Sequence, residues 1–288
     1  MLEQSQTLSI VLPAKNESAA LPPLLTGLRK LYPQAELLVV DDGSTDDTGD
    51  VAKRHGARVL RHPYSLGNGA AIKSGARIAT GNILVFMDGD GQHDANDIPA
   101  LLDKLQSGYD MVVGARDSHS QASIGRNLAN RIYNRLASWI VGHHILDLTS
   151  GFRAVRADYF REFMYLLPNG FSYPTTVTMA FFRAGYGVAY VPITASKRIG
   201  RSHIQPLQDG VRFLLIIFKV GTLYSPLKIF LPISFAFFMT GLCYYIYTFV
   251  TEHRLTNMSA LLFITALLVF LIGLVSEQIT MLIYSKQA

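Results

Sequence analysis

Apolar residues follow two kinds of pattern along the chain, with short runs in the first 115 residues and long runs in the last 60. In the first region the short runs alternate with segments whose apolar residues recur at helical spacing. The short runs predict five strands, at residues 8–12, 36–40, 58–61, 83–87 and 111–113. The segments between them predict helices near 18–31, 45–55, 69–79 and 98–106. Strands that alternate with helices imply an α/β fold, with a mostly parallel sheet and helices on both faces.

The C-terminal region contains two long stretches, residues 229–251 and 255–276, without any Lys, Arg, Asp or Glu. They are 23 and 22 residues long, and about 20 apolar residues span the hydrocarbon core of a bilayer. We therefore predict a two-helix transmembrane hairpin within residues 226–288, with spans at about 228–251 and 257–284. Two buried core helices are the alternative. Lys228 and Lys286 flank the spans and favour cytoplasmic ends.

Residues 206–225 are largely apolar but include Asp209, Arg212 and Lys219. This pattern predicts an interfacial amphipathic helix that leads into the membrane, or else an ordinary surface helix. Residues 1–205 then form the globular domain. Since the first six residues do not resemble a signal peptide, we expect this domain to stay in the cytoplasm. The expected location is a cell (inner) membrane, in a multi-pass topology.

Charge is unevenly distributed along the 288 residues, whose formal net charge is +5. Residues 116–228 contain 14 Lys and Arg against 5 Asp and Glu. A basic middle region favours anionic partners such as phosphates or lipid headgroups, although a solvated basic surface would also explain it. Cys243 is the single cysteine, which excludes an intrachain disulfide and a cysteine metal cluster. The single tryptophan, Trp139, is interpreted as core or interface packing.

Acidic turns follow two of the predicted strands, and a third turn follows the first strand. Asp88 and Asp90 are separated by one glycine, and two such carboxylates can share one Mg²⁺ or Mn²⁺ ion. Asp41 and Asp42 end the second strand, where a carboxylate can accept a hydrogen bond from a nucleobase or ribose. Ser44 or Thr45 could instead cap the next helix. Ligands bind beyond the carboxyl ends of strands in such sheets, so these turns form the predicted site.

The motifs resemble family 2 glycosyltransferases of the GT-A fold in their order and spacing. The residues that carry the resemblance are Pro13-Ala14-Lys15-Asn16-Glu17, Val39-Val40-Asp41-Asp42-Gly43-Ser44-Thr45-Asp46, and Asp88 with Asp90. Three segments narrow it to the dolichyl- and polyprenyl-phosphate hexose synthases: Asp88 to His93, Val113 to Arg116, and Asp147 to Arg153. The resemblance covers about residues 7–205, and a membrane hairpin is also typical of bacterial members.

The resemblance implies an inverting transfer of a hexose-type sugar from a GDP- or UDP-linked donor to polyprenyl phosphate, with Mg²⁺ or Mn²⁺ as cofactor. The metal would be held by Asp88, Asp90 and Gln92. The implied donor-binding residues are Pro13, Lys15, Glu17, Val40, Asp42, Asp88, Gly89, Asp90, Arg116, Lys197 and His203. The acceptor phosphate would be bound by Arg126, Asn130 and Arg131. The implied catalytic residues are Asp90, Arg116, Arg126 and Arg153.

The chain departs from this family pattern at two places. Thr175 and Thr176 stand where the family often has a glutamate, and His203 stands where a closing loop often ends in lysine. The alternatives are a transferase with another lipid or a polysaccharide as acceptor, and a non-catalytic membrane scaffold or nucleotide-sugar sensor. The expected partners are the donor, the lipid acceptor and the membrane, without nucleic acid, and homo-oligomer formation is left open.

Overall fold

A seven-stranded mixed sheet organises the first part of the chain, in the strand order β3-β2-β1-β4-β6-β5-β7. The computed structural model describes residues 7–116, 124–170, 172–194, 215, 218–219 and 221–285, and the side chains of 124–130 and 283–285 are not part of this description. The strands are β1 (Leu8–Ala14), β2 (Glu36–Asp41), β3 (Arg58–Arg61), β4 (Ile83–Phe86), β5 (Met111–Arg116), β6 (Arg153–Arg156) and β7 (Val188–Ile193). The α/β fold with a mostly parallel sheet is confirmed.

Nine α-helices lie among the described residues. They are α1 (Leu21–Leu31), α2 (Thr48–Arg54), α3 (Asn68–Ile78), α4 (Ile98–Gln106), α5 (Ile124–Val141), α6 (Ala157–Glu162), α7 (Tyr173–Arg183), α8 (Pro226–Glu252) and α9 (Asn257–Ser285). The sequence predicted β1 to β5 and α1 to α4 within a few residues of these bounds. It did not predict β6, which is antiparallel to both β4 and β5 and makes the sheet mixed.

The strands alternate their side chains between two helical layers, as a pleated strand must. Ile10 and Leu12 of β1 belong to a core formed with α1, α2 and α4. Val11 points to the opposite face, where α3 comes so close that a Cβ added at Gly75 would lie 2.3 Å from Val11 Cγ1. Glycine at this position therefore allows α3 to pack directly on the sheet. The layers fix the strand ends, and hence the loops that follow them.

The chain divides into two units: residues 1–135 with 143–213, and residues 136–142 with 214–288. In the second unit, α8 and α9 pack along each other through small residues. A Cβ added at Gly273 would lie 2.6 Å from Phe230 Cβ, and Ser234 Oγ donates a 2.7 Å hydrogen bond to Ala266 O. Both helices are long and apolar enough to cross a membrane. The predicted amphipathic helix at 206–225 lies mostly outside the described residues, of which 221–224 are helical.

Candidate active site

An open cavity of about 470 Å³ lies at the carboxyl ends of β1, β2 and β4. Its walls are the loops after these strands and the first turn of α3. It is lined by Pro13, Ala14, Lys15, Glu17, Asp42, Ser65, Gly67, Asn68, Ala71, Asp88, Gly89, Asp90 and Gln92. The fold thus brings together eight residues that the sequence analysis placed at the donor or the metal: Pro13, Lys15, Glu17, Asp42, Asp88, Gly89, Asp90 and Gln92.

Hydrogen bonds join the loop after β1 to the loop after β2. The Asn16 amide donates to Ser44 Oγ at 3.0 Å, and the Thr45 amide donates to Asn16 Oδ1 at 2.9 Å. The Glu17 amide donates to Thr48 Oγ1 at 2.9 Å. Ser44 and Thr45 therefore fasten the two loops to each other, and neither caps α2, which begins only at Thr48. This pairing fixes Lys15 and Glu17 beside Asp42 at the cavity.

Asp42 holds the far wall of the cavity through four hydrogen bonds. Its Oδ1 accepts from the Leu66 amide at 2.8 Å and lies 2.8 Å from His62 Nδ1. Its Oδ2 accepts from Ser65 Oγ at 2.7 Å and from the Gly67 amide at 2.9 Å. Burial raises the pKa of Asp42, but these bonds stabilise the carboxylate more, so that its pKa is lowered overall. Asp42 therefore orders the segment 62–67 as well as lining the cavity.

This wall and the first turn of α3 were not predicted from the sequence, although together they supply four cavity residues: Ser65, Gly67, Asn68 and Ala71. A signal was present in the two glycines before and within the first turn of α3. Gly67 has a φ of 101°, and a Cβ added to it would lie 2.6 Å from Asn169 O. A Cβ at Gly69 would lie 2.1 Å from Pro168 O. The segment 168–170 thus packs against the start of α3 only because both positions are glycine.

The acidic turn after β4 presents carboxylates to the cavity. The side chain of Asp88 is 35% exposed, whereas Asp90 is buried and accepts a 3.2 Å hydrogen bond from the Gln92 amide. A Cβ added at Gly151 would lie 3.0 Å from Asp88 Oδ2, so glycine allows the 147–151 turn to pack against this carboxylate. Packing of the 147–151 turn thus supports the acidic turn from one side.

The ligand atoms in the cavity suit a hard divalent cation whose coordination is completed by substrate. Within the described part of the chain, no three His, Cys, Asp or Glu side chains group as a metal site. The cavity instead offers two carboxylates and the Gln92 amide. Mg²⁺ is commonly bound through one or two carboxylates together with substrate phosphates, and it keeps its other positions for water. The chemistry of Asp88, Asp90 and Gln92 is therefore suited to a metal that arrives with a diphosphate.

Arg116, the last residue of β5, is held by a bidentate ion pair. Its Nε lies 2.8 Å from Asp147 Oδ2, and its Nη2 lies 3.1 Å from Asp147 Oδ1 and also donates to Thr149 Oγ1. Burial raises the pKa of Asp147, but the hydrogen bonds and charge of Arg116 outweigh it and lower that pKa. The family resemblance implies contact between Arg116 and the substrate phosphates, but its partner Asp147 was not predicted.

His93 is buried between the acidic turn and this ion pair. Its ring stacks on Phe152 at 4.9 Å, and its Nε2 lies 3.9 Å from Asp88 Oδ2. Burial disfavours the imidazolium and lowers the pKa of His93 to about 4. The imidazole is consequently neutral at pH 7 and fills space behind the acidic turn without adding positive charge.

Arg116 is not among the residues that line the cavity, and two other residues predicted for the donor or for catalysis also lie outside it. Arg153 is fully buried, and its guanidinium donates to Ser150 O and to Thr178 Oγ1. It therefore braces the 147–151 turn from inside, because β6 directs its side chain into the core. Val40 is also fully buried, and its Cγ2 would lie 3.2 Å from a Cβ added at Gly75 of α3. Its side chain packs under α3 and does not line the cavity.

The other predicted residues lie in α5 or outside the described residues. Arg131 is exposed on α5. Arg126 and Asn130 lie on the same helix, where the side chains are not described, and Lys197 and His203 fall outside the described residues. Thr175 and Thr176, the departures from the family pattern, are both buried in α7. Thr176 Oγ1 donates to the carbonyl of Ser172, the residue directly before α7, at 3.3 Å.

The family model described as glycosyl transferase family 2 matches residues 9–164, which include every motif of the cavity. The chain is a family 2 glycosyl transferase. A second model, the GtrB C-terminal hairpin, matches residues 225–282 of the transferase. The predicted family, enzyme class and hairpin are thereby confirmed, and the two apolar helices associate this transferase with a membrane.

Relatives of the transferase include proteins with named acceptors. It is 32% identical to glycosyltransferase AglJ of Haloferax volcanii over 285 residues, which cover 94% of this chain and 92% of that protein. It is 29% identical to a dolichyl-phosphate hexose transferase of the same organism, with 74% and 93% covered. It is 32% identical to an undecaprenyl-phosphate mannosyltransferase of Micrococcus luteus, with 65% and 83% covered.

A solved structure supports the fold. The transferase resembles glucosyl-3-phosphoglycerate synthase from Mycobacterium tuberculosis, crystallised with Mn²⁺, uridine diphosphate and phosphoglyceric acid. The TM-score is 0.60 at 24% identity, and the match covers 75% of this chain and 79% of that one. The similarity confirms the GT-A type of fold for the first unit.

Proposed function

We propose that this transferase moves a hexose-type sugar from a GDP- or UDP-linked donor to polyprenyl phosphate at the cytoplasmic face of the membrane. The observation that carries the proposal is the cavity, where Asp88, Asp90 and Gln92 meet Lys15 and Asp42 at three strand ends. The apolar helices α8 and α9 favour an acceptor that is itself in the membrane. Two relatives whose names state a polyprenyl-type phosphate as acceptor support the same acceptor class.

The donor would lie along the cavity with its diphosphate at the acidic turn. Pro13, Lys15, Glu17 and Asp42 would provide the nucleotide end. A Cβ added at Gly89 would lie only 3.1 Å from Pro13 O, so glycine lets the acidic turn pack closely against the end of β1. Asp88, Asp90 and Gln92 would hold Mg²⁺ or Mn²⁺. Charge that develops on the leaving nucleoside diphosphate would be neutralised by a divalent cation bound at this position.

The proposed reaction is a direct displacement at the anomeric carbon with inversion. An oxygen of the lipid phosphate forms the new bond, the bond from the anomeric carbon to the diphosphate oxygen breaks, and its electron pair leaves with the nucleoside diphosphate. A phosphate monoester has a second pKa near 6, so it is mostly dianionic at pH 7 and does not need a strong general base. Catalysis then depends on orientation and charge stabilisation.

Basic residues would orient the two phosphate groups. Arg116 is fixed by Asp147, so its charge is already placed before substrate binds, and this preorganisation favours contact with a donor phosphate. Arg126, Asn130 and Arg131 of α5 are proposed for the acceptor phosphate, since arginine matches the geometry of phosphate. Arg153 would act indirectly, by bracing the 147–151 turn against Asp88.

The test is a direct assay of lipid glycosylation. Purified full-length protein is incubated with polyprenyl phosphate, Mn²⁺ or Mg²⁺ and a panel of GDP- and UDP-sugars, and the lipids are analysed by mass spectrometry. We expect one hexose to be added to the lipid phosphate with one of the donors, and only when the divalent cation is present. If none of the donors yields a glycolipid while each binds to the protein, the proposal gives way to a nucleotide-sugar sensor.

A further inference from the structure

The chain's single tryptophan occupies an unusual position at the end of α5. Its neighbours Ala137 and Ile140 are buried, but Trp139 is 49% exposed among the described residues. Burial of the exposed part of this large indole against another surface would be favourable. The last turn of α5 belongs to the same unit as the hairpin helices, and the contacts within this unit indicate which partner it has.

Lys228 fastens this turn of α5 to the start of α8. Its Nζ donates to Ile140 O at 2.9 Å and lies 3.5 Å from Trp139 O. A lysine at this place satisfies carbonyls that lack partners at a helix C-terminus and complements the helix dipole. Gly221 allows close packing here, since its added Cβ would lie 3.0 Å from Ile140 Cδ1 and 2.6 Å from Ile229 Cδ1.

Lys228, which joins the last turn of α5 to α8, lies at the polar boundary of the hairpin. Lys228 is the third residue of α8, and Glu277 of α9 accepts a 3.3 Å hydrogen bond from the Leu227 amide at the same level. Charged side chains are costly in the hydrocarbon core and concentrate at its edges. If α8 and α9 span the bilayer, Lys228 and Glu277 mark the level of the lipid headgroups, and the backbone of Trp139 lies at that level too.

We propose that the last turn of α5 is a lipid-contact site, with the Trp139 side chain placed among the headgroups of the bilayer that holds the hairpin. Tryptophan suits this region because its ring is apolar and its N–H can bond to polar groups. The inference rests on the proposed membrane span of α8 and α9. It adds that α5, which carries the proposed acceptor residues Arg126, Asn130 and Arg131, is anchored at the bilayer surface by its other end.

The test uses Trp139 as the only tryptophan in the protein. The full chain is reconstituted in phosphatidylcholine and phosphatidylglycerol vesicles, and tryptophan emission is measured with lipids brominated near the headgroup or near the chain ends. We expect a blue-shifted emission that loses more intensity with the shallow bromines than with the deep ones. Flotation of the vesicles in a density gradient establishes separately whether the hairpin inserts.

Two reference variants calibrate depth, each with Trp139→Phe. Phe235→Trp places the ring on α8 at a site that is 60% exposed, seven residues or about 10 Å beyond Lys228, where deep bromines should quench more. Leu31→Trp places it at the end of α1 in the α/β unit and gives the emission of a ring outside the hairpin unit. Leu31 is 44% exposed, so the change needs no repacking.

Each outcome decides the proposal. Loss of Trp139 emission with the shallow bromines supports it. If the protein floats with the vesicles but neither lipid quenches Trp139, the lipid contact is refuted and the membrane span stands. If the protein does not float, both the span and the contact are refuted. A blue-shifted, unquenched emission that shifts red on dilution would assign the indole to a second copy of the chain and overturn the lipid contact.

Discussion

The α/β unit and the hairpin place their apolar side chains in opposite ways. In the first unit, Ile10, Val11 and Leu12 of β1 are fully buried between helices. In the second, Phe235 of α8 and Leu267 of α9 are 60% and 58% exposed, with many similar neighbours. Water-soluble proteins rarely expose apolar patches of this extent. The first unit therefore buries these apolar side chains within itself, whereas the exposed apolar surface of the second is suited to a membrane.

Polar side chains also have different roles in the two units. In the α/β unit, Asp42 at the cavity is held by a network of hydrogen bonds, and Asp147 and Arg116 form a bidentate ion pair. In the hairpin, Ser234 and Thr240 bond to carbonyls of helices, and this satisfies each hydroxyl without leaving charge in the apolar region. The same residue classes thus position ligands in one unit and avoid unpaired polar groups in the other.

The largest effect should come from placing charge on the apolar face of α9. Leu267→Lys together with Leu271→Lys costs about 2.5–3.5 kcal/mol per lysine at the centre of a span, so most of the protein should leave the membrane fraction on flotation. Leu31→Lys is the matched control, since Leu31 is also exposed but lies in the α/β unit, and it should change stability by less than about 0.5 kcal/mol. If the two variants left the membrane fraction to the same extent, the contrast between the two units would be refuted.

Substitutions in the acidic turn should cause the largest loss of activity. Asp88→Asn and Asp90→Asn each remove a carboxylate that we propose binds the metal. We expect glycolipid formation to fall by about 100- to 1,000-fold, a loss typical of removing electrostatic stabilisation of the transition state. The variants should keep the circular dichroism spectrum of the wild type. Asp103→Asn, an exposed carboxylate on α4, is the matched control and should keep full activity. Wild-type rates in both variants with Mn²⁺ present would refute the metal site.

Substitution of Asp42 should weaken binding of the sugar donor more than binding of the lipid acceptor. Asp42→Ala leaves four donors without their partner, at about 1–3 kcal/mol for each buried group, and it releases the wall at 62–67. We expect the KM for the nucleotide-sugar to rise about tenfold or more, with the KM for the lipid little changed. Asp50→Ala on α2 removes only an exposed 3.7 Å pair with Lys53 and should leave both values as they are.

The lowered pKa of Asp42 gives this prediction a pH dependence. In the folded state the hydrogen bonds hold its pKa below the value of about 3.9 expected for an unfolded chain. Its contribution to the free energy of unfolding is thus present above that value and is lost as the pH falls through the folded pKa. The stability difference between wild type and Asp42→Ala, measured by denaturant unfolding, should shrink below about pH 4. A difference that grows with acid would contradict the network.

Substitution of two glycines by alanine should give the smallest effects, which are changes in stability of opposite sign. Gly69→Ala places a Cβ 2.1 Å from Pro168 O, and the forced shift should cost about 1–3 kcal/mol. A Cβ at Gly27 of α1 would meet no heavy atom of the described residues within 4 Å. Gly27→Ala should therefore stabilise the helix by about 0.5–1 kcal/mol. Thermal unfolding of the two variants checks the signs, and a stabilising Gly69→Ala would show that the cavity wall is not tightly packed.

Local patterns were sufficient to predict the first five strands, the hairpin and the acidic turn. Each depends on neighbours in sequence, such as the apolar run before Asp88 or the uncharged stretches of α8 and α9. The strand β6 could not be predicted this way, because its four residues Arg153–Arg156 begin and end with arginine and a buried charge resembles a surface position in sequence.

Partners that are distant in sequence also escaped prediction. The wall held by Asp42 depends on His62 and Ser65, which lie 20 and 23 residues away, and Arg116 depends on Asp147, 31 residues away. No periodicity connects such residues, and only the sheet order brings them together. The placement of Arg153 and Val40 at the substrate came from family position, and the strand geometry turns both side chains into the core.

The most direct test of the account is a competition between acceptors in one membrane. Vesicles that contain both polyprenyl phosphate and diacylglycerol are incubated with the wild-type transferase, Mn²⁺ and the active nucleotide-sugar, and both lipids are followed by mass spectrometry. We expect hexose to appear on polyprenyl phosphate alone, and we expect Asp90→Asn to abolish its appearance. Hexose on diacylglycerol, or undiminished transfer by the variant, would contradict it.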